Sequence, residues 1–366
     1  MSNLVKNPIN YRRKLNYQKK SHTEEVKKHI LKVLMVIVVT LNISCTDGKG
    51  NSSSENTIPP DTENETKAEQ IELADPTIFY HNDTYYLYGT SQGRLTEKGL
   101  GFLVFTSDDM QNWEGPVGKS NGFALAETEA YGNQGFWAPQ VFEYKDTFYM
   151  AYTANENIAI ATSDSPLGPF VNAGEALYAE TKQIDPFVFF DNGKPYLYHV
   201  RLEDGNRIFV AKMEEDLESI KPETLKECLS ATQPWENTAS AAWPVAEGPT
   251  VLKHNELYYL IYSANDFRNP DYAVGYATAD SPVGPWEKSG DNPIINREML
   301  GENGSGHGDI VIGENNEMHY VLHTHFSNAS VHPRKTAIIK LNFNEDVEGN
   351  MSLTAEEESF KFLKSN

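Results

Sequence analysis

The sequence predicts an all-β protein, a five-bladed β-propeller whose four-stranded antiparallel blades surround a central channel. One hairpin pattern occurs five times: a strand, a polar turn and a second strand rich in Tyr or Phe. Helical patterns are scarce, since only 213–229 could hold a turn or two. Intervals of about 45 to 65 residues are typical of propeller blades, and the copies begin at residues 74, 138, 185, 247 and 307.

The segments after the hairpins supply the outer strands of the blades. The run at 336–343 (TAIIKLNF) is a candidate closing strand. We therefore place the propeller domain at residues 71–343 and expect a C-terminal tail or an edge strand at 344–366. Three outer segments end in aromatic residues that are expected to pack between blades: Trp113, Phe170 and Trp286.

The N-terminal region has the pattern of an export signal. A basic region precedes the apolar run 30–44, and Cys45 follows. This resembles a bacterial lipoprotein signal, although Asn42 departs from the usual Leu, and it predicts a signal peptide at 1–44 with Cys45 lipidated. An ordinary signal peptide beside a coincidental cysteine is the alternative. Residues 45–70, rich in Ser, Asn, Thr and Glu, are predicted to be a disordered tether. The protein is thus expected to be exported and lipid-anchored at the bacterial cell envelope, in the periplasm or at the cell surface.

The composition limits the classes of molecule that the protein is expected to bind. With 366 residues, 39% of them apolar, the chain can bury a substantial core. The net charge of −21 disfavours nucleic acid and anionic surfaces, so a membrane is expected as a partner only through the lipid anchor. Having only two cysteines excludes a disulfide framework and argues against a Cys-based zinc site. Neutral ligands such as sugars remain natural candidates, and a monomer is expected.

Acidic residues recur where the innermost strand of each blade should line the channel. The residues before the anchor of each repeat are Asp75, Ala138, Asp185, Glu247 and His307, and the fourth and fifth repeats have an extra glycine between this residue and the anchor. Taken singly, each acid could cap a turn before Pro. Together, three carboxylates that face one axis repel one another, and one of them should have a raised pKa. Such a cluster suits general acid/base chemistry, and glycoside hydrolysis needs a protonated carboxylic acid opposite an ionised carboxylate.

Five separated motifs follow one another along the chain: ADPTI, WAPQV, IDPFV, EGPTV and GSGHGDIV. Their order and spacing resemble glycoside hydrolase family 43, a family of five-bladed propeller arabinofuranosidases and xylosidases, over about residues 71–343. The resemblance implies an inverting mechanism with Asp75 as general base and Glu247 as general acid. It implies that Asp185 orients the acid and modulates its pKa. The related retaining fructan-cleaving propellers use Arg-Asp-Pro and Glu-Cys motifs, whereas the corresponding motifs here are IDP and EGP.

Further residues are candidates for substrate contacts. Trp137 could form an aromatic floor for a sugar ring or belong to the core. The resemblance implies that His307 contacts substrate or, through water, a calcium ion; a histidine satisfied by backbone groups is the alternative. No cofactor is required, and a structural calcium in the channel is an option. Arg334 matches a position near the substrate subsite, with an exposed loop arginine as the alternative, and Trp243 is a candidate for the rim. Three histidines of the last repeat are expected to pack on strand faces: His319, His323 and His325.

The resemblance thus implies an exo-acting, inverting glycoside hydrolase that releases a pentose, arabinofuranose or xylose, from plant polysaccharide side chains or oligosaccharides. The same scaffold serves exo-galactanases and endo-arabinanases, so these activities remain alternatives. A non-catalytic carbohydrate-binding propeller would keep an aromatic pocket without needing three carboxylates. A purely structural propeller would leave the acidic centre unexplained.

Overall fold

The computed structural model describes residues 68–366 apart from positions 314, 348 and 350, and these residues fold largely into β-strands. The predicted signal peptide at 1–44, Cys45 and most of the predicted tether lie outside the described residues, so export and lipidation stay predictions. Among the described residues, no helix is long and apolar enough to cross a membrane.

The strands carry labels in chain order. They are β1 (Glu69–Gln70), β2 (Leu73–His81), β3 (Thr84–Ser91), β4 (Gly101–Leu103), β5 (Phe105–Ser107), β6 (Asn112–Trp113), β7 (Phe123–Ala126), β8 (Trp137–Tyr144), β9 (Thr147–Ala154), β10 (Asn157–Ser163), β11 (Gln183–Asp191), β12 (Lys194–Leu202), β13 (Asn206–Lys212), β14 (Lys226–Leu229), β15 (Ala246–His254), β16 (Leu257–Ala264), β17 (Ala273–Ala279), β18 (Glu287–Lys288), β19 (Gly306–Ile312), β20 (Met318–Thr324), β21 (Lys335–Glu345), β22 (Met351–Phe362) and β23 (Lys364–Ser365). The helices of the described residues are short: 3₁₀ helices at Gly93–Lys98, Pro222–Thr224 and Pro234–Asn237, and α1 (Arg297–Leu300).

Five antiparallel sheets, one for each sequence repeat, form blades 1 to 5. Their strand orders are β2-β3-β5, β8-β9-β10, β11-β12-β13-β14, β15-β16-β17-β18 and β19-β20-β21-β22. The first strand of each blade contacts the first strand of the next, and β19 contacts β2, which closes the ring. The predicted five-bladed propeller is therefore confirmed.

Blades 1 and 2 differ from the predicted four strands, because each sheet contains three. The outer position is reduced to a single bridge in each blade: Thr106 with Glu114 and Thr162 with Val171.

The last residues of the chain take part in the sheets. β22 is the outer strand of blade 5 and lies in the segment predicted as a tail or an edge strand. β23 pairs with β1 on one side and with β6 on the other. Glu69–Gln70, assigned to the tether from sequence, is therefore a strand, because the final residues of the chain bond to its backbone.

The predicted inter-blade aromatic residues pack as expected. Phe170 is fully buried in the core cluster shared by blades 1 and 2. Trp113 packs in a cluster that includes Val321 of blade 5. Trp286 of blade 4 lies 6.3 Å, between ring centroids, from Tyr198 of blade 3. Apolar packing thus lies between the blades, which leaves the axis to polar side chains.

Candidate active site

A β-bulge interrupts each innermost strand at the same height. In blade 1 the pairing of β2 with β3 shifts between Ala74 and Thr77, and the other four blades show an equivalent shift. A bulge turns its residue out of the ladder, and these residues line the axial channel. Each has a positive φ, between 40° and 61°, and we call them the bulge residues: Asp75, Ala138, Asp185, Gly248 and His307.

The bulges correct the register predicted for the fourth repeat. Glu247 does not share the position of the two aspartates; it comes one residue earlier, and Gly248 stands inside the bulge. A Cβ on Gly248 would lie 2.7 Å from Cδ2 of His307, so the packing at the axis requires glycine there. Glu247 nevertheless reaches the same pocket as the bulge residues.

A pocket of about 420 Å³ lies at one end of the axial channel. Beyond the bulge residues the channel narrows to a cavity of about 20 Å³, room for about one water molecule. The channel is therefore much narrower at the bulge residues than in the pocket. The pocket is lined by all six side chains predicted to form the site: Asp75, Trp137, Asp185, Glu247, His307 and Arg334.

Side chains from second strands hold the bulge residues in place. In blade 3 the second-strand residue next to the bulge is Val200, whose side chain has no hydrogen-bond acceptor. The bulge N–H of the next blade, that of Gly248, therefore donates to Asp185 Oδ2 instead, at 3.3 Å. The other four bulge N–H groups donate to the preceding blade: Ala138 to Thr90 Oγ1 (3.0 Å), Asp185 to Thr153 Oγ1 (3.0 Å), His307 to Ser263 Oγ (2.8 Å) and Asp75 to His323 Nδ1 (3.1 Å).

Asp75 is held as an ionised carboxylate. Its Oδ2 accepts a hydrogen bond from Thr90 Oγ1 at 2.7 Å, and its Oδ1 accepts one from Arg334 Nη1 at 3.1 Å. The Nδ1 atoms of His307 and His323 each lie 3.4 Å from Oδ1. Burial opposes ionisation, but the charge of Arg334 and the hydrogen bond from the Thr90 hydroxyl hold the pKa of Asp75 well below its usual range.

His323, expected to be a packing or strand-face residue, is packed on its strand and also contacts Asp75. It is fully buried against Asp75, and the ring of Tyr272 stacks on it with centroids 5.7 Å apart. Burial and the charge of Arg334 hold the pKa of His323 well below its usual range, so its ring is neutral. His325 lies further out, where its Nε2 bonds to the carbonyl of Phe267.

Glu247 keeps its proton to a higher pH than an ordinary glutamic acid. Tyr272 donates its hydroxyl proton to Oε1 at 2.9 Å, and Asn206 Nδ2 donates to Oε2 at 2.8 Å. Burial raises the pKa of Glu247 to about 7, and the charges of Asp75 and Asp266 add to the rise, although the two hydrogen bonds oppose it. Two carboxyl groups in one pocket thus have pKa values displaced in opposite directions, the arrangement that acid/base catalysis requires.

Asp185 interacts electrostatically with both of the other carboxyl groups. Its Oδ2 lies 3.9 Å from His307 Nδ1 and accepts the Gly248 N–H. Burial raises the pKa of Asp185 well above its usual range, and the charges of Glu247 and Asp75 raise it further. Asp185 and Glu247 therefore resist ionising together.

Arg334 is buried in the site rather than exposed on a loop. Its guanidinium lies over the ring of Phe267, 4.5 Å from the centroid, and its backbone N–H donates to Gln92 Oε1 at 3.1 Å. Trp137 is 38% exposed and Trp243 is 49% exposed, and both line the pocket. Exposed aromatic rings of this kind can carry the apolar face of a sugar.

The donors around His307 do not form a calcium site through side chains. Ca²⁺ takes about six to eight oxygen ligands, whereas His307 offers nitrogen and feels the positive charge of Arg334. No group of three or more His, Cys, Asp or Glu side chains in the described part of the chain could hold a metal ion. A calcium bound only through water stays a prediction, and no step below depends on it.

A propeller with an axial pocket that holds one carboxyl group of lowered pKa and one of raised pKa has the machinery of a glycoside hydrolase. The sequence model of the glycosyl hydrolases family 43 matches residues 69–347, and the chain belongs to this family. The family predicted from the five motifs is confirmed, and the chain is a family 43 glycoside hydrolase.

Three similar proteins illustrate the range of the family. A solved endo-1,4-β-xylanase structure from Bacteroides thetaiotaomicron is 39% identical with a TM-score of 0.73, over 82% of this chain and 99% of that one. The β-D-galactofuranosidase xynD of Aspergillus niger is 27% identical over 74% of this chain and 80% of its own length. The arabinoxylan arabinofuranohydrolase of Paenibacillus polymyxa is 29% identical over 75% of this chain, which spans only 48% of that longer protein.

Proposed function

We propose that this enzyme is an inverting exo-glycosidase that releases a pentose, arabinofuranose or xylose, from polysaccharide side chains or oligosaccharides. The observation that carries the mechanism is the opposite displacement of the pKa values of Asp75 and Glu247 in one pocket. Asp75 takes a proton from a water molecule that attacks the anomeric carbon, and Glu247 gives its proton to the departing glycosidic oxygen. One C–O bond forms as another breaks, and solvent then restores both carboxyl groups.

Asp185 is proposed to keep Glu247 protonated until the substrate arrives. It is buried, and its charge interacts unfavourably with that of Glu247. Ionisation of either group raises the cost of ionising the other. The Gly248 N–H fixes one oxygen of Asp185, so this repulsion acts from a defined position beside the acid.

The substrate class rests on the relatives and on the shape and charge of the pocket. Two of the similar proteins are described as an endo-1,4-β-xylanase and an arabinoxylan arabinofuranohydrolase. The pocket widens to about 420 Å³ next to the narrow channel, which gives room for a sugar at the carboxyl groups. Charged rim residues are paired with one another, Arg268 with Asp266 and Lys182 with Glu156, which suits a neutral sugar.

Internal cleavage of a xylan chain is the second candidate. It is favoured by the 39% identity with the solved endo-1,4-β-xylanase. Timed product profiles from xylan, arabinan and arabinoxylan separate the two, because an exo-enzyme releases monosaccharide from the first sample onwards. An internal cutter instead produces a ladder of oligosaccharides early in the reaction.

The first sugar released is expected to have the opposite anomeric configuration to the substrate, because water attacks the face remote from the leaving group. Proton NMR of a fresh reaction on aryl α-L-arabinofuranoside or aryl β-D-xyloside measures this before the anomers equilibrate. A product of retained configuration would instead make Asp75 a nucleophile and remove the base role proposed for it.

Activity is expected to fall as the pH rises through about 7, the pKa to which burial raises Glu247, because only the protonated acid can serve the leaving group. Asp75 stays ionised far into the acid range and imposes no loss near neutrality. The measurement is kcat/KM against pH on a glycoside with a poor leaving group. The residual activity of Glu247→Gln on an activated glycoside should lack this fall at high pH, the alkaline limb of the pH profile. If the alkaline limb persisted in the variant, it would report the ionisation of another group.

A further inference from the structure

We propose that Trp243 is a positioning residue that orients the amide of Asn206 so that its N–H group, and not its carbonyl, faces Glu247. The inference rests on the proposed function, in which Glu247 is the general acid. Trp243 precedes β15, and the Trp243–Asn206 pair brings an exposed rim residue into the hydrogen-bonding environment of a buried carboxyl group.

Two hydrogen bonds form a relay. Trp243 Nε1 donates to Asn206 Oδ1 at 2.9 Å, and Asn206 Nδ2 donates to Glu247 Oε2 at 2.8 Å. An indole N–H can only donate, whereas an amide can present either its oxygen or its nitrogen to a neighbour. Because Trp243 takes the amide oxygen, the amide N–H is the group that remains for Glu247.

The backbone supports the same relay. The N–H of Asn206 donates to the carbonyl of Pro244 at 2.9 Å, and Asn206 forms a bridge with Val245. Gly205 approaches this segment so closely that a Cβ there would lie 2.6 Å from the carbonyl oxygen of Pro244. The start of β13 is thus fixed against the residues that follow Trp243, which holds the indole and the amide in register.

This orientation makes Glu247 a better proton donor. An N–H group stabilises the carboxylate that forms as the proton leaves, and the bond from Asn206 works against the burial that raises the pKa of Glu247. Without the indole, the amide can turn and offer its oxygen, which stabilises the protonated carboxyl instead. The acid would then be weaker, and its ionisation would move to higher pH.

Trp243→Phe tests the proposal because it keeps an aromatic ring and removes the donor. On a glycoside with a poor leaving group, kcat is expected to fall roughly tenfold, the worth of one hydrogen bond to a charged group. The alkaline limb of the pH profile is expected to move up by about one unit, since a hydrogen bond to the charged form is lost. The loss of turnover should be smaller on an aryl glycoside with a good leaving group, because any effect of the ring exchange on sugar binding is common to both substrates whereas the loss of acid strength is not.

Trp235→Phe is the matched control, because Trp235 lies in the same segment and its indole donates to an amide oxygen of Gln233 at 2.7 Å. It should change neither the limb nor the leaving-group dependence. In an Asn206→Ala background, Trp243→Phe should produce no further shift. An unmoved limb in Trp243→Phe, a further shift in that background, or equal losses on both kinds of substrate would each overturn the relay.

Failure of the relay leaves the proposed function standing, because Glu247→Ala tests the acid by itself. If Glu247→Ala showed no dependence on the leaving group, the acid assignment would be lost, and the relay with it. If Glu247→Ala behaved as a loss of the acid while Trp243→Phe matched the wild type, only the relay would be overturned.

Discussion

Replacing Glu247 with alanine is expected to slow hydrolysis of an unactivated glycoside by roughly 10²- to 10⁴-fold, the range for loss of a general acid. An aryl glycoside whose leaving group departs without a proton should keep much of its turnover. Glu247 is buried and bonded to Tyr272 and Asn206, so its removal also leaves two donors without their acceptor. The measurement is kcat across aryl glycosides of graded leaving-group pKa, where the variant should show the steeper dependence.

Glu247→Gln separates chemistry from folding in this experiment. The amide has nearly the shape of the carboxyl group and retains an oxygen for one of the two donors, but it has no proton to give. Thermal unfolding should show it close to the wild type, while its leaving-group dependence should match that of Glu247→Ala. Normal turnover of the poorest leaving group by either variant would show that Glu247 is not the acid.

Replacing Asp75 with asparagine is expected to reduce turnover of every substrate by roughly 10²- to 10⁴-fold, whatever its leaving group, because the attacking water loses its base. The effect should therefore differ in kind from that of Glu247→Ala. Azide, a nucleophile that needs no base, is expected to restore turnover of an activated glycoside. Chromatography and NMR should then detect a glycosyl azide of inverted configuration.

Asp309→Asn is the control for neutralising a buried axial carboxyl group. Asp309 lines the narrow channel beyond the bulge residues, where Thr77 Oγ1 donates to its Oδ2 at 2.6 Å. Burial raises the pKa of Asp309 to about 6, and asparagine keeps the shape of the side chain and one oxygen acceptor. Its activity should stay within a few-fold of the wild type. A loss of activity in Asp309→Asn as large as that in Asp75→Asn would contradict the role of Asp75. A glycosyl azide of retained configuration from Asp75→Asn would also contradict it.

The blades and most of the site residues could be predicted because the chemistry lies on the first strand of each repeat. A strand that begins every repeat must line the axis, so Asp75 and Asp185 are recognisable from equivalent positions alone. Aligning the repeats by sequence places Glu247 at the position of the two aspartates, one residue away from its place in the structure, because residue identities alone do not show which residue enters the bulge. The contact of Gly248 with His307 decides which residue enters the bulge, and it joins two repeats that are distant in sequence.

The partners of the carboxyl groups were harder to predict, because they come from other strands. Asn206 begins β13, and Tyr272 immediately precedes β17, so neither falls at a repeated position. His323 could have been found, because it pairs with Gly306 just before a bulge, where Thr90 pairs with Ala74 in blade 1. The residues that support the site recur at one position of the second strands, and the strand pairing is needed to recognise that position.

The left-handed conformation inside the bulges limits how this scaffold can be diversified. Apart from glycine, that conformation favours Asn, Asp and His, and the five bulges hold two Asp, one His, one Gly and one strained Ala. The residue before each bulge is outside the positive-φ set and carries no such restriction. Protein engineers thus have few residue types to choose from inside the bulges and more immediately before them, at the pocket-lining positions Trp137 and Ile184. Natural variation in substrate choice has the same freedom at those positions.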